Sequence, residues 1–387
     1  MGGGMVVVYF GQLGGRLRAH QKTMLEADAE AIAGIKGCTF GGSYKEARDY
    51  PAPLYFVPDD TLLVQESEKL GIGHDQDLFG GVVPHPFVKT KSVTHRLVDE
   101  SAERPDGWAS RFTDRVRDVV LPGYTAFSGR DACRAALRLL RRGPVRVKRP
   151  LGADGKGQSR IESIAELERI LDKTPRQEIA TYGVVLEADL QEVSTLSVGQ
   201  VAIDSIIVTY HGVQRLTTDN EGRSVYGGSS LVCVRGGWKA LEQLLLPDKV
   251  RIGIAQAKVY DAAMSEYPGF FASRRNYDVG QGIDAGGQWR SGVLEPSWRV
   301  GGATASELVG VNAFLREPEL RVVEVAHVEE FGSGREAPPD AVVHFRGDDP
   351  RAGPLLRYTV IRRTRPRGAA ETSPEETFRS AKPDPAS

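Results

Sequence analysis

The chain has 387 residues, well beyond the ~150 of a typical single domain, so two or three packed units with sizeable cores are expected. Forty per cent hydrophobic and 26% charged residues exclude a chain too polar to bury a core. The 50 basic and 51 acidic side chains nearly cancel, which excludes a surface built as a whole to hold nucleic acid or anionic lipid.

Val6 to Phe10 is an apolar burst, followed by a helix-like segment around Ala19 to Ile35 and a second burst at Leu54 to Val57, a β-α-β rhythm. Residues 85 to 120 are mixed and rich in Pro and basic side chains, so they read as a crossover rather than core, with a domain boundary near 90 to 125. Ser128 and Asp131 open a capped amphipathic helix that Gly143-Pro144 ends. Val145 to Lys148 alternates like a strand, with Arg146 and Lys148 on the face opposite Val145 and Val147. A Gly loop, Gly152 to Gly157, and a second helix capped by Ser163 and Glu166 follow.

Val184 to Glu187 is a short strand ending in a carboxylate. Residues 192 to 236 read as successive antiparallel strands, with turns expected at His211-Gly212, Asn220 to Gly222 and Tyr226 to Gly228. A helical pattern spans 239 to 265. Asp278 and Glu295 then flank a Gly-rich turn as a hairpin, Thr304 and Glu307 suggest a cap for a helix through Phe314, and 320 to 362 hold three more strands. Residues 364 to 387 are polar and Pro-rich and read as a disordered tail.

Cys38, Cys133 and Cys233 are odd in number and far apart, so neither a disulfide framework nor a zinc site is implied. The opening residues lack the basic flank of a signal peptide, no ~18-residue apolar run exists, and Val6 stands where a myristoylation signal needs Ser or Thr. A cytoplasmic protein without membrane or nucleic-acid partners is the expectation.

Three features carry chemistry. Gly155 and Gly157 let backbone N–H groups approach phosphate oxygens while Lys156 adds charge, and Lys148 on the preceding strand supplies a second cation. Asp278 and Glu295, on two joined strands, can face each other and hold Mg²⁺, which takes one or two carboxylates plus phosphate oxygens. Tyr226 to Ser230 is a Gly-Ser turn and a candidate substrate or phosphate loop.

The order of lysine-ending strand, Gly loop, Glu-ending strand, long β segment and Asp/Glu hairpin resembles the ATP-grasp superfamily over roughly residues 89 to 315. That resemblance implies an α/β chain with the ATP-grasp fold: an N-terminal open-sheet α/β domain with linker (1–124), a small lid lobe (125–190) and a C-terminal mixed α+β lobe (191–363), before the tail (364–387). It implies that Lys148, Gly155, Lys156, Gly157, Gln158 and Ser159 bind ATP phosphates, and that Glu187 lies at the adenine hinge and Glu192 at the ribose. Asp278, Glu295 and Ser297 become the Mg²⁺ ligands, with Asp284 an alternative first ligand, and Lys89 and Lys91 become two unranked candidates for the earlier lysine that touches the nucleotide. Ser297 occupies the asparagine place of the family's Glu-x-Asn-x-Arg ending. Arg275, next to Arg274, and Arg299 become the catalytic arginines that face the transferring phosphate or the substrate.

The activity so implied is an ATP-dependent ligase that activates a small-molecule carboxylate as an acylphosphate for attack by an amine or thiol, using ATP and Mg²⁺. Ser297 keeps a non-catalytic nucleotide binder open, and a small-molecule kinase is the third reading. Homo-oligomerisation is left open.

Overall fold

The computed structural model describes residues 3–11, 19–151, 157–350 and 352–366. Strands Met5–Tyr9, Thr39–Ser43 and Leu54–Pro58 form a parallel sheet with Met5–Tyr9 in the centre. Val6, Val7 and Val8 are all fully buried, as expected when both faces of a parallel strand are covered. Val6 and Val8 meet Leu25, Ala29 and Ile32 of helix Ala19–Lys36, while Val7 packs with Phe56 on the other face. The strand Thr39–Ser43 was not expected from its sequence, because two glycines replace the apolar alternation. A Cβ at Gly41 would lie 2.4 Å from Met5 Sδ, so a side chain there would have to displace that of Met5.

The segment 85 to 120 contributes to the core, most fully over 87 to 95, contrary to the reading of a polar crossover. Phe87, Val88, Val93, Phe112 and Val116 lie in the largest hydrophobic cluster, and the 3₁₀ turn Lys91–Val93 is buried throughout. Its polar side chains are absorbed locally: Thr90 accepts from Ser92 N and Thr94 meets the Tyr260 hydroxyl at 3.0 Å.

Strands Gly123–Ala126, Val184–Ala188, Val145–Lys148 and Gln158–Ile161 make a small antiparallel sheet in that spatial order. Helix Gly129–Leu140 begins where Ser128 Oγ accepts from Asp131 N, and Ser163 caps Ile164–Leu171 in the same way. Val145 and Val147 enter the core beneath these helices, leaving Arg146 and Lys148 on the open face as the alternation requires.

Eight antiparallel strands form the large sheet, in the order Trp289–Ser297, Arg274–Ile283, Gln191–Ile203, Ile206–Thr218, Ser224–Arg235, Leu320–Phe331, Gly353–Pro366, Val342–Asp349. Helix Asp248–Ala263 covers one face through Val250, Ile254 and Ala257; helix Thr304–Arg316 and the N-terminal helix cover part of the other. The turn expected at Tyr226 to Gly228 is instead a bulge inside Ser224–Arg235, opposite Arg215 and Leu216. The last strand runs to Pro366, three residues into the expected tail; residues 367–387 lie outside the described residues. The whole is a mixed α/β molecule of the N-terminal sheet, the small sheet, the large sheet and a further short sheet of Phe271–Ala272, Gly81–Val83 and Leu62–Leu63. No helix among the described residues is long and apolar enough to cross a membrane.

Candidate active site

Small sheet, large sheet and N-terminal domain enclose a cleft of about 1230 Å³. Lys148 and Gln158 reach it from the small sheet, cross-strand from one another. Lys148 Nζ is 2.6 Å from Glu187 Oε1, and Glu187 Oε2 is 3.1 Å from His95 Nε2, all three side chains buried. Burial alone would raise the Glu187 carboxyl, but the Lys148 ammonium and the His95 hydrogen bond outweigh it and hold it at about 2. Glu187 is therefore an anion with two fixed partners, in a strand whose backbone pairs Gly123 on one side and Arg146 on the other.

Gly157 adopts φ 84° and its carbonyl accepts from Arg149 N, closing the loop onto the strand. Gly155 and Lys156 lie outside the described residues. Ser159 pairs with Val147 and so shares the core side of its strand rather than the cleft side. Glu192 is exposed, at φ 50° on a bulge between Gln191 and Ser194; Leu190 and Val193 line the cleft in its place.

On the large sheet, Asp278 pairs with Glu295 and Asn276 with Ser297 across the two outermost strands. All four line the cleft, because side chains two apart on a strand share a face. Burial and the facing Glu295 push Asp278 up to about 6, against hydrogen bonds from Ser197 Oγ (3.0 Å) and Asn276 Nδ2 (3.2 Å). A buried carboxylate facing a second carboxylate is a donor set whose repulsion a divalent cation relieves. Asp278 and Glu295 are the residues that could hold Mg²⁺, which is bound through one or two carboxylates plus phosphate oxygens and water. Lys91 Nζ stands 3.2 Å from Glu295, and Lys89 pairs with Asp60 at 2.8 Å. Asp284 is spent at the hairpin turn: the Arg290 hydrogen bond and the Gln288 and Gly286 amides hold it below the usual carboxylate range.

Arg275 lies on the far side of its strand, 3.2 Å from Asp261 of helix Asp248–Ala263. The cleft-side neighbour is Arg274, and it is fully used: its Nε and Nη2 grip Glu307 at 2.8 and 2.9 Å, and Nη1 donates to the carbonyls of Ser297 and Arg299. Glu307 accordingly does not cap its helix, whose N-cap is Ala303. Arg299 is the exposed arginine at the cleft. Sequence reasoning missed His95, Asn276, Tyr210 and Glu307. Only Asn276 carried a signal, its two-residue spacing from Asp278.

Many solved structures resemble this chain, three of them as follows. Biotin carboxylase from Campylobacter jejuni, in complex with β-γ-ATP, is 11% identical with a TM-score of 0.48, covering 92% of this chain and 87% of its own. Carboxyaminoimidazole ribonucleotide synthase from Aspergillus clavatus, complexed with ATP, is 9% identical with a TM-score of 0.48, covering 97% and 95%. Phosphoribosylamine–glycine ligase from Thermotoga maritima is 16% identical with a TM-score of 0.46, covering 97% and 95%. No curated protein matches the sequence. A family model matches residues 8–359, and the chain belongs to that family, described as protein of unknown function (DUF3182).

Proposed function

We propose that the chain is an ATP-dependent ligase that activates a small-molecule carboxylate as its acylphosphate for attack by an amine or thiol. The observation that supports this most is a single cleft in which Lys148 and Gln158 of one sheet face Asp278 and Glu295 of another. A polyphosphate needs positive charge on one side and a divalent cation on the other; Lys148 supports the first and the Asp278–Glu295 pair the second.

Asp278 and Glu295 would hold Mg²⁺, which when bound neutralises charge on the transferring phosphoryl group. Lys148 supplies fixed positive charge from the lid side, and Glu187 keeps that lysine in place. In the first step a substrate carboxylate oxygen bonds to the γ-phosphorus and the bond to the β-γ bridging oxygen breaks, releasing ADP. In the second, the amine or thiol bonds to the acyl carbon, loses its proton, and phosphate leaves. Arg299, exposed at the cleft with Nη1 donating to the Val300 carbonyl at 2.9 Å, is the arginine placed to meet the anionic substrate.

Incubation of the full chain with MgATP, carboxylate pools and hydroxylamine tests this reading. The expected products are ADP, phosphate and a hydroxamate. A stable phosphorylated product indifferent to hydroxylamine would make the protein a kinase, and ATP binding without ADP release from any pool a non-catalytic binder.

A further inference from the structure

Tyr210 is fully buried, and its hydroxyl touches two acceptors: Glu307 Oε1, in a short contact, and Asn276 Oδ1 at 2.9 Å. A hydroxyl carries one proton to donate. Glu307 is a carboxylate clamped by Arg274 and is the stronger acceptor, so the proton goes there. The Asn276 amide oxygen, 7% exposed with its residue, is then left against an oxygen that offers it no hydrogen. The other end of the same amide, Nδ2, lies 3.2 Å from Asp278 Oδ1. Turning the amide over by half a revolution mends the first contact, because Nδ2 then donates to the Tyr210 oxygen. It also presents Oδ1 beside the Asp278 carboxylate, where two oxygens repel unless a cation lies between them.

We infer that Asn276 is an oxygen ligand of the divalent cation, taking over across the hairpin the amide that Ser297 lacks. The inference rests on the proposed nucleotide and metal reading of the cleft. Asn276 is the direct cross-strand partner of Ser297, as Asp278 is of Glu295, so exchanging an amide between positions 276 and 297 moves it across one strand spacing on the same face. Without the cation Nδ2 satisfies Asp278; with it the amide turns, and both of its ends are matched. Tyr210 and Glu307 are positioning residues: their hydrogen bond decides which end of the amide faces the cleft.

The test is Mn²⁺ binding to the full chain, read by electron paramagnetic resonance of the free ion and by calorimetry, with and without ATP. Asn276→Leu should weaken Mn²⁺ on the order of tenfold, Asn276→Asp should hold it at least as tightly as wild type, and Ser297→Ala should change it little. Adding Ser297→Asn to Asn276→Leu should restore most of the loss. Unchanged Mn²⁺ affinity in Asn276→Leu overturns the inference, as does a Ser297→Ala variant that carries the loss instead. Should Asn276→Leu not fold, weakened Mn²⁺ binding by Asn276→Asp overturns it alone. Wild-type protein that takes up no Mn²⁺ in either condition overturns the metal reading itself, whereas failure confined to the position-276 variants leaves the proposed function standing.

Discussion

At the residue scale, neighbouring residues have opposite fates because a strand alternates. Arg274 is sealed against Glu307, while Arg275 sits at the edge of a helix beside Asp261. Removing one partner of a buried pair leaves an uncompensated charge, so Arg274→Met should cost about 3–5 kcal/mol in urea unfolding, and Arg275→Ala about 1 kcal/mol or less. Glu187 makes the corresponding pH statement. Its carboxyl is depressed from 4.5 to about 2, so the unfolded chain binds more protons between those values and stability falls as pH falls. The stabilisation is fully present above about pH 4.5 and is lost towards pH 2. The gap in urea midpoint between wild type and Glu187→Gln should therefore be constant near neutrality and close as pH drops through that window; a gap that widens in acid would contradict the assignment.

At the scale of elements, legibility followed how local each signal was. The capped helices at Ser128 and Ser163 and the alternating Val145–Lys148 strand are written in consecutive side chains, and the structure has them where those side chains say. The Thr39–Ser43 strand and the buried 85 to 95 segment depend on what packs against them, which no local pattern records. The same holds at the cleft. Asp278 and Glu295 were readable as a hairpin pair, but Glu307 reaches Arg274 and Tyr210 only through a helix and two strands far apart in sequence.

Two glycines extend this to a prediction. Gly292 lies where the linker crosses the large sheet: Val293 N donates to Val119 O, and a Cβ would meet Leu121 N at 2.5 Å. Gly292→Ala should therefore destabilise by about 1–3 kcal/mol. Gly34, exposed inside helix Ala19–Lys36 with nothing within 4 Å of its would-be Cβ, should gain about 0.5–1 kcal/mol as Gly34→Ala. Opposite signs from one chemical change, read by thermal melts, check the packing at both places.

At the scale of the molecule, the proposed nucleotide site is divided between bodies with separate cores. Val145 and Val147 belong to the small sheet's cluster, whereas Tyr277 and Val279 beside Asp278 belong to the large one. A ligand that touches both can bind fully only when both are folded and correctly apposed, so it stabilises their union by mass action, by about 2.7 kcal/mol at a hundredfold excess over Kd. MgATP should accordingly raise the melting temperature by several degrees. Lys148→Ala should abolish most of that shift, because it withdraws the small sheet's buried cation while leaving the large sheet intact. Asp278→Asn should lose the Mg²⁺ dependence of the shift but keep some response to ATP alone, since Lys148 remains. If both variants kept the full wild-type shift, ATP would have to bind somewhere other than between these two sheets.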